Sequence, residues 1–278
     1  MKSLVLAVLS LFVIAQILGF FSGLVLLLDM STNPVVQQFP SVVEQDNPLN
    51  SVYFFLYTLI GAAVIIFFIR YLKSDLAFTL LEFTIISSAS SIVFYSFSRL
   101  FLPYVESMMI GIVLGVALAL LKILFSRFKN PAVVFSAAGA GALMGISLGA
   151  IPAFIFIVFL AVYDYIAVFK TKHMVELANY VIKKNLSFTI TSKKYIPELK
   201  KEQRLDLGSG DLIAPVIVEV AVFQISPIAS LFVFIGAFAS LAIFLFYATK
   251  KRAIFPAMPP IAFGMILFFL IGKVIVGY

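Results

Sequence analysis

Residues 152–170 read Pro-Ala-Phe-Ile-Phe-Ile-Val-Phe-Leu-Ala-Val-Tyr-Asp-Tyr-Ile-Ala-Val-Phe-Lys, an apolar run closed by Lys170 and broken by one acid, Asp164. A helix of this length crosses about 30 Å of hydrocarbon. An ionisable group inside such a run costs at least about 3 kcal/mol, which makes it a functional hypothesis by default. Eight further apolar segments lie near 4–28, 51–69, 76–98, 104–125, 132–149, 208–225, 227–248 and 256–276. The pattern predicts an all-α, polytopic membrane protein with nine transmembrane helices in a single domain spanning 1–278. Helices one to six fill 1–170, an inner polar loop fills 171–207, and helices seven to nine fill 208–278. The fifth and sixth segments meet around Ile151 and Pro152, but together they are too long for one span.

Composition agrees. The chain is 63% hydrophobic and 12% charged, with a mean hydropathy of +1.13, far from the quarter-charged make-up of soluble domains. With no cysteine and a single histidine, His173, disulfides, thiolate metal sites, cysteine nucleophiles and an HExxH zinc site are excluded, and a Ser-His protease is disfavoured. Met1-Lys2-Ser3 precedes an apolar stretch longer than a signal-peptide core, so it is expected to stay as the first membrane helix. The net charge of +7 is explained by topology and not by nucleic-acid binding. If the N-terminus lies in the cytoplasm, all but Arg99 and Lys273 of the 20 Lys and Arg fall in inner segments. That asymmetry predicts an N-in, C-out arrangement with the large basic loop on the cytoplasmic side of the cell membrane and some contact with anionic lipid. The outer 29–50 connection, with Asp29, Glu44 and Asp46, holds no basic residue.

Within the inner loop, Met174, Leu177, Val181 and Ile182 suggest an amphipathic extension of helix six. Residues 186–191 alternate as a short strand would, and the charged stretch from Lys193 to Arg204 is expected to be mobile. Five acids lie in or near apolar spans: Glu82, Glu106, Asp164, Asp211 and Glu219. Glu82 and Glu219 are expected to satisfy local partners or face water, and Glu106 to sit at the outer interface. Asp164 lies six residues before Lys170, about 9 Å from the inner boundary, and Asp211 lies five beyond Asp206, a similar depth if that start is helical. Helices six and seven run in opposite directions, so the two aspartates can meet.

Two carboxyls a few ångströms apart share one proton, giving a base and an acid in one site. In peptide hydrolysis the base activates water and the acid protonates the attacked carbonyl. Neither metal nor cofactor is needed. Just before Asp211, Gly208-Ser209-Gly210 removes Cβ bulk and permits a sharp helix entry. Pro256-Ala257-Met258 opens the last span, where its proline leaves backbone groups unpaired beside a cavity.

Tyr163-Asp164 in the sixth span, Gly208-Ser209-Gly210-Asp211 at the seventh and Pro256-Ala257-Met258 at the ninth resemble the YD, GxGD and PAL motifs of the presenilin and signal peptide peptidase family. Met258 stands where the third motif has Leu, a swap of similar volume. The resemblance covers essentially the whole chain, its compact loops are those of a microbial, archaeal-like member, and its orientation is similar to presenilin rather than to signal peptide peptidase. It implies an intramembrane aspartyl endopeptidase whose catalytic residues are Asp164 and Asp211. Tyr163, Gly208, Ser209, Gly210, Pro256, Ala257 and Met258 would then shape the active site and touch substrate. The substrates implied are transmembrane helical proteins or peptides, including signal-peptide remnants, cut after local unwinding. Residues 186–191 or Leu205-Asp206-Leu207 would offer a strand edge to such a chain. The alternative is a proton- or cation-coupled transporter or channel using the same acids.

Overall fold

The computed structural model describes residues 2–33, 45–67, 75–170, 187–196, 201–251 and 255–278. Nine α-helices occur among them: α1 (Lys2–Thr32), α2 (Leu49–Phe67), α3 (Asp75–Arg99), α4 (Tyr104–Leu124), α5 (Lys129–Ile146), α6 (Ala150–Phe169), α7 (Gly210–Phe223), α8 (Pro227–Lys251) and α9 (Met258–Val276). A single 3₁₀ turn, Ser126–Phe128, joins α4 to α5. Of these helices, α1, α3, α4, α6, α8 and α9 are long and apolar enough to cross a membrane. Large apolar side chains point outward along them, among them Ile17, Val113, Ile243 and Phe263, as expected when the outer solvent is lipid.

The shortest helix is the most central. From Leu212 to Val222 every residue of α7 except Ile213 is buried, and α1, α5, α6, α8 and α9 pack around it. Close approach is achieved by pairing bulk with its absence. A Cβ added to Gly19 of α1 would lie 2.6 Å from Val216 Cγ1, and one added to Gly141 of α5 would lie 2.7 Å from Val216 Cβ. One turn along, Val220 meets Gly145 in the same way. The small residues of the fifth segment are therefore a socket for α7. Gly111 and Gly115 likewise seat α4 against α3.

Two local expectations are corrected. The Lys193–Arg204 stretch is not a mobile loop among the described residues. Strands β1 (Thr189–Ile196) and β2 (Lys201–Gly208) form an antiparallel hairpin with Thr189 opposite Gly208 and Thr191 opposite Asp206. Ile190 and Leu207, a facing pair, are buried in the main core, which is the long-range contact a local charge pattern does not reveal. Asp29 is also not a loop residue. It is buried in the last turn of α1, accepts from the Tyr95 hydroxyl, and pairs with Arg99 at 3.0 Å. The amphipathic extension expected over 174–182, Leu186 and His173 lie outside the described residues.

Candidate active site

Asp164 sits in the last two turns of α6, and Asp211 is the second residue of α7. Both are partly buried and both line one cavity of about 500 Å³. Its walls come from Thr58 and Ala62 of α2, Leu160, Tyr163, Asp164 and Val168 of α6, β2 from Arg204 to Gly208, Gly210 and Asp211 of α7, Phe244, Leu245 and Ala248 of α8, and Phe255, Ala257 and Met258. The two carboxyls are brought to one cavity differently from the way expected. Residues before Gly208 are strand and not helix, so Asp211 gains its position because β2 runs straight into the first turn of α7.

The Gly-Ser-Gly stretch makes that junction. β2 ends at Gly208, Ser209 donates its backbone N–H to the Phe188 carbonyl at 2.9 Å, and α7 starts at Gly210. A Cβ on Gly208 would stand 3.2 Å from Asp211 Oδ2, so this glycine leaves room for the carboxyl group, and its backbone hydrogen-bonds Asp211. At Gly210 a Cβ would meet nothing within 4 Å; the expected need for a bare backbone holds at the first glycine only. Pro215, one turn beyond, cannot donate to the Asp211 carbonyl, which loosens α7 next to the site.

Pro256-Ala257-Met258 acts through its backbone. Met258 opens α9 with Ala257 as N-cap, and the Met258 N–H donates to Asp164 Oδ2 at 3.2 Å. The Ala257 backbone also hydrogen-bonds this carboxyl. The first N–H groups of a helix lack internal partners, and here Pro259 and Pro260 carry none. The free donors of α9 are thereby concentrated at Asp164. Pro256, Ala257 and Met258 are all buried. Tyr163 lines the cavity and packs edge-on against Phe55 of α2, with ring centroids 6.2 Å apart.

The match of the signal-peptide peptidase, presenilin aspartyl protease family runs over residues 9–278. The chain belongs to this family. Similar solved structures are two of a presenilin family intramembrane aspartate protease. The one in space group C222 is 22% identical, covers 97% of this chain and 98% of its own, and superposes with a TM-score of 0.70. The one in space group P2 is 25% identical over 97% of each chain, with a TM-score of 0.67. No curated protein matches. The protease is an integral membrane protein and an aspartic endopeptidase of the intramembrane-cleaving type, and nothing supports the transporter alternative.

The other intramembrane acids of the protease do not line this cavity. Glu82 of α3 is buried and paired with Lys122 of α4, and its Oε1 accepts the Ser187 N–H at 2.5 Å. Glu106 is exposed in the first turn of α4. Glu219 is buried two turns beyond Asp211, and its Oε1 has no hydrogen-bond partner among the described residues. Sequence reasoning placed Asp206 in a candidate strand edge but passed over Arg204, with which it forms an ion pair at 2.6 Å in the cavity wall. Lys129 and Asn130, which hold the hairpin from α5, were passed over too. Side-chain alternation across 203–208 was the available signal.

Proposed function

We propose that Asp164 and Asp211 are the catalytic dyad of this intramembrane protease. The observation that carries the proposal is their shared cavity, walled by all three motif segments and by the β2 edge. One carboxylate takes a proton from water, which attacks the scissile carbonyl carbon, while the other carboxyl gives its proton to the carbonyl oxygen. Collapse of the tetrahedral intermediate breaks the C–N bond, and the amine leaves with a proton from the dyad. The N–H groups of Ala257 and Met258 orient the Asp164 carboxyl, Gly208 makes space for that of Asp211, and Tyr163 and Gly210 line the cavity around substrate; Ser209 and Pro256 stand behind that wall, at the β2–α7 junction and before the start of α9.

Substrates of this proposal are transmembrane helical proteins or peptides, including signal-peptide remnants. A helical peptide bond is shielded by its own turn, so substrate must be extended when cut, and β2 offers an edge to receive it. Hydrogen-bonded pairs alternate along an antiparallel ladder. Ser209 bonds Phe188, and Thr191 turns its N–H and C=O away from β2 toward Asn130. By the same alternation, Arg204 and Asp206 turn theirs outward on β2, and Leu205 and Leu207 face β1. The docking positions are therefore Arg204 and Asp206, not Leu205 and Leu207.

The proposal includes nine membrane spans with N-in, C-out orientation in the cell membrane and the basic 171–207 loop in the cytoplasm. The asymmetry of Lys and Arg supports the orientation. The test is cleavage of a transmembrane peptide by purified protein in lipid. Asp164→Ala and Asp211→Ala are each expected to lose at least about 10³-fold in rate; a variant that cuts as fast as the wild type rejects the dyad. Strand addition is tested separately with a substrate N-methylated at alternate amides near the scissile bond. One methylation phase is expected to block cleavage and the other to be tolerated.

A further inference from the structure

Away from the dyad, buried polar groups concentrate where the hairpin meets α3, α4 and α5, three helices that carry neither aspartate. Glu82 and Lys122 pair there, and Glu82 takes the backbone N–H of Ser187 at the hairpin's start. Asn130, in the first turn of α5, takes both outward backbone groups of Thr191. Its Nδ2 donates to the Thr191 carbonyl at 2.8 Å, and its Oδ1 accepts the Thr191 N–H at 2.9 Å.

One N–H and the oxygen of a primary amide lie side by side and can pair with the N–H and C=O of a single residue. At Thr191 the Asn130 side chain thus does what a neighbouring strand would do and closes the β1 edge there. Because outward and inward pairs alternate, holding Thr191 outward dictates that Arg204 and Asp206 are outward on β2. A slip of one residue would reverse every side chain and carry Leu207 out of the core. The sheet has two strands, and an isolated hairpin is marginally stable without tertiary support.

We propose that Asn130 is a positioning residue of the protease, one that locks the hairpin register from outside and thereby sets which peptide bond of the substrate reaches Asp164 and Asp211. The Glu82–Lys122 pair is the second point of attachment, at Ser187. This inference rests on substrate pairing with β2, and its test separates the two.

Asn130→Ala is compared with Tyr95→Phe in the full-length protein reconstituted in lipid. Tyr95→Phe loosens the contact with Asp29 without touching the hairpin. Three quantities are read: thermal midpoint, amide exchange across 187–196 and 201–208 without substrate, and the mass distribution of products from one transmembrane peptide. Asn130→Ala is expected to speed hairpin exchange at least about tenfold, because both hydrogen bonds to Thr191 are lost. It should also spread cleavage to bonds beside the wild-type one. Tyr95→Phe should lower the midpoint by a similar amount and keep both the exchange pattern and the product masses. Wild-type masses from Asn130→Ala overturn the proposal, as does an equal spread from Tyr95→Phe. If Asn130→Ala does not fold, Asn130→Asp, which keeps the acceptor and loses the donor to Thr191, is read by the same criteria. A faster hairpin together with indifference to substrate N-methylation would reject pairing on β2 and, with it, the steering of cleavage, while leaving the dyad intact.

Discussion

Asp164 and Asp211 are held by two different devices, and each can be removed on its own. Asp164 is held by amides at the start of α9, so the side chain at position 258 matters less than its backbone. Met258→Leu, a change of similar volume, is expected to cost less than about 1.5 kcal/mol and to leave the cleavage rate essentially that of wild type. Asp211 depends on the space at Gly208. Gly208→Ala places a methyl group 3.2 Å from Oδ2 and is expected to lower kcat by on the order of 10²-fold with a thermal midpoint near that of wild type. A dyad with one proton also predicts a bell-shaped pH dependence of kcat, since the rate falls when both carboxyls are protonated and when both are ionised. A rate independent of pH would contradict it. At this scale the sequence was legible because a carboxylate in an apolar span is costly wherever it points. The partners of Glu82 were not legible: Lys122 is forty residues away, and only packing brings the two together.

Among the elements, α7 depends most on its neighbours. Its valines sit in glycine sockets on both sides, and Gly145 of α5 also lies against its backbone: an added Cβ would be 2.7 Å from Val220 Cβ and 3.0 Å from the Ile217 carbonyl oxygen. Gly145→Ala is therefore expected to destabilise by about 1–3 kcal/mol and to reduce cleavage, because the same helix carries Asp211. Gly61 in α2 is the control, since a Cβ there meets nothing within 4 Å. Gly61→Ala should be neutral or stabilise by up to about 1 kcal/mol, and thermal unfolding of the pair measures the contrast. The helical segments were readable to within a few residues from apolar runs. The hairpin was readable at its first residues and at Leu205-Asp206-Leu207, but not between them. Across Lys193–Arg204 the local signal is charge, whereas the strands are held by Ile190 and Leu207 in the core and by Asn130 from another helix.

For the whole molecule, the decisive measurement is sidedness. The chain lacks cysteine, so single cysteines report directly. Lys193→Cys, exposed on the hairpin, and Phe101→Cys, 84% exposed at the α3–α4 turn, lie at opposite ends of the bundle. With N-in orientation, a membrane-impermeant thiol reagent should label position 193 only from the cytoplasmic side and position 101 only from the outer side; the reverse pattern would reject the orientation. By itself the sequence determined that lipid is the solvent, where the apolar helices run, and that Asp164, Asp211 and three short motifs belong together. The first two are properties of composition and spacing along the chain, and the third is what the family resemblance implies. Only the tertiary structure decided that the segment before Asp211 is a strand, which of its backbone groups face outward, that α7 is the buried centre, and that Asp29 and Glu82 are paired inside the bundle. Each of these depends on contacts between residues far apart in the chain, whose free energy exists only once the helices have packed.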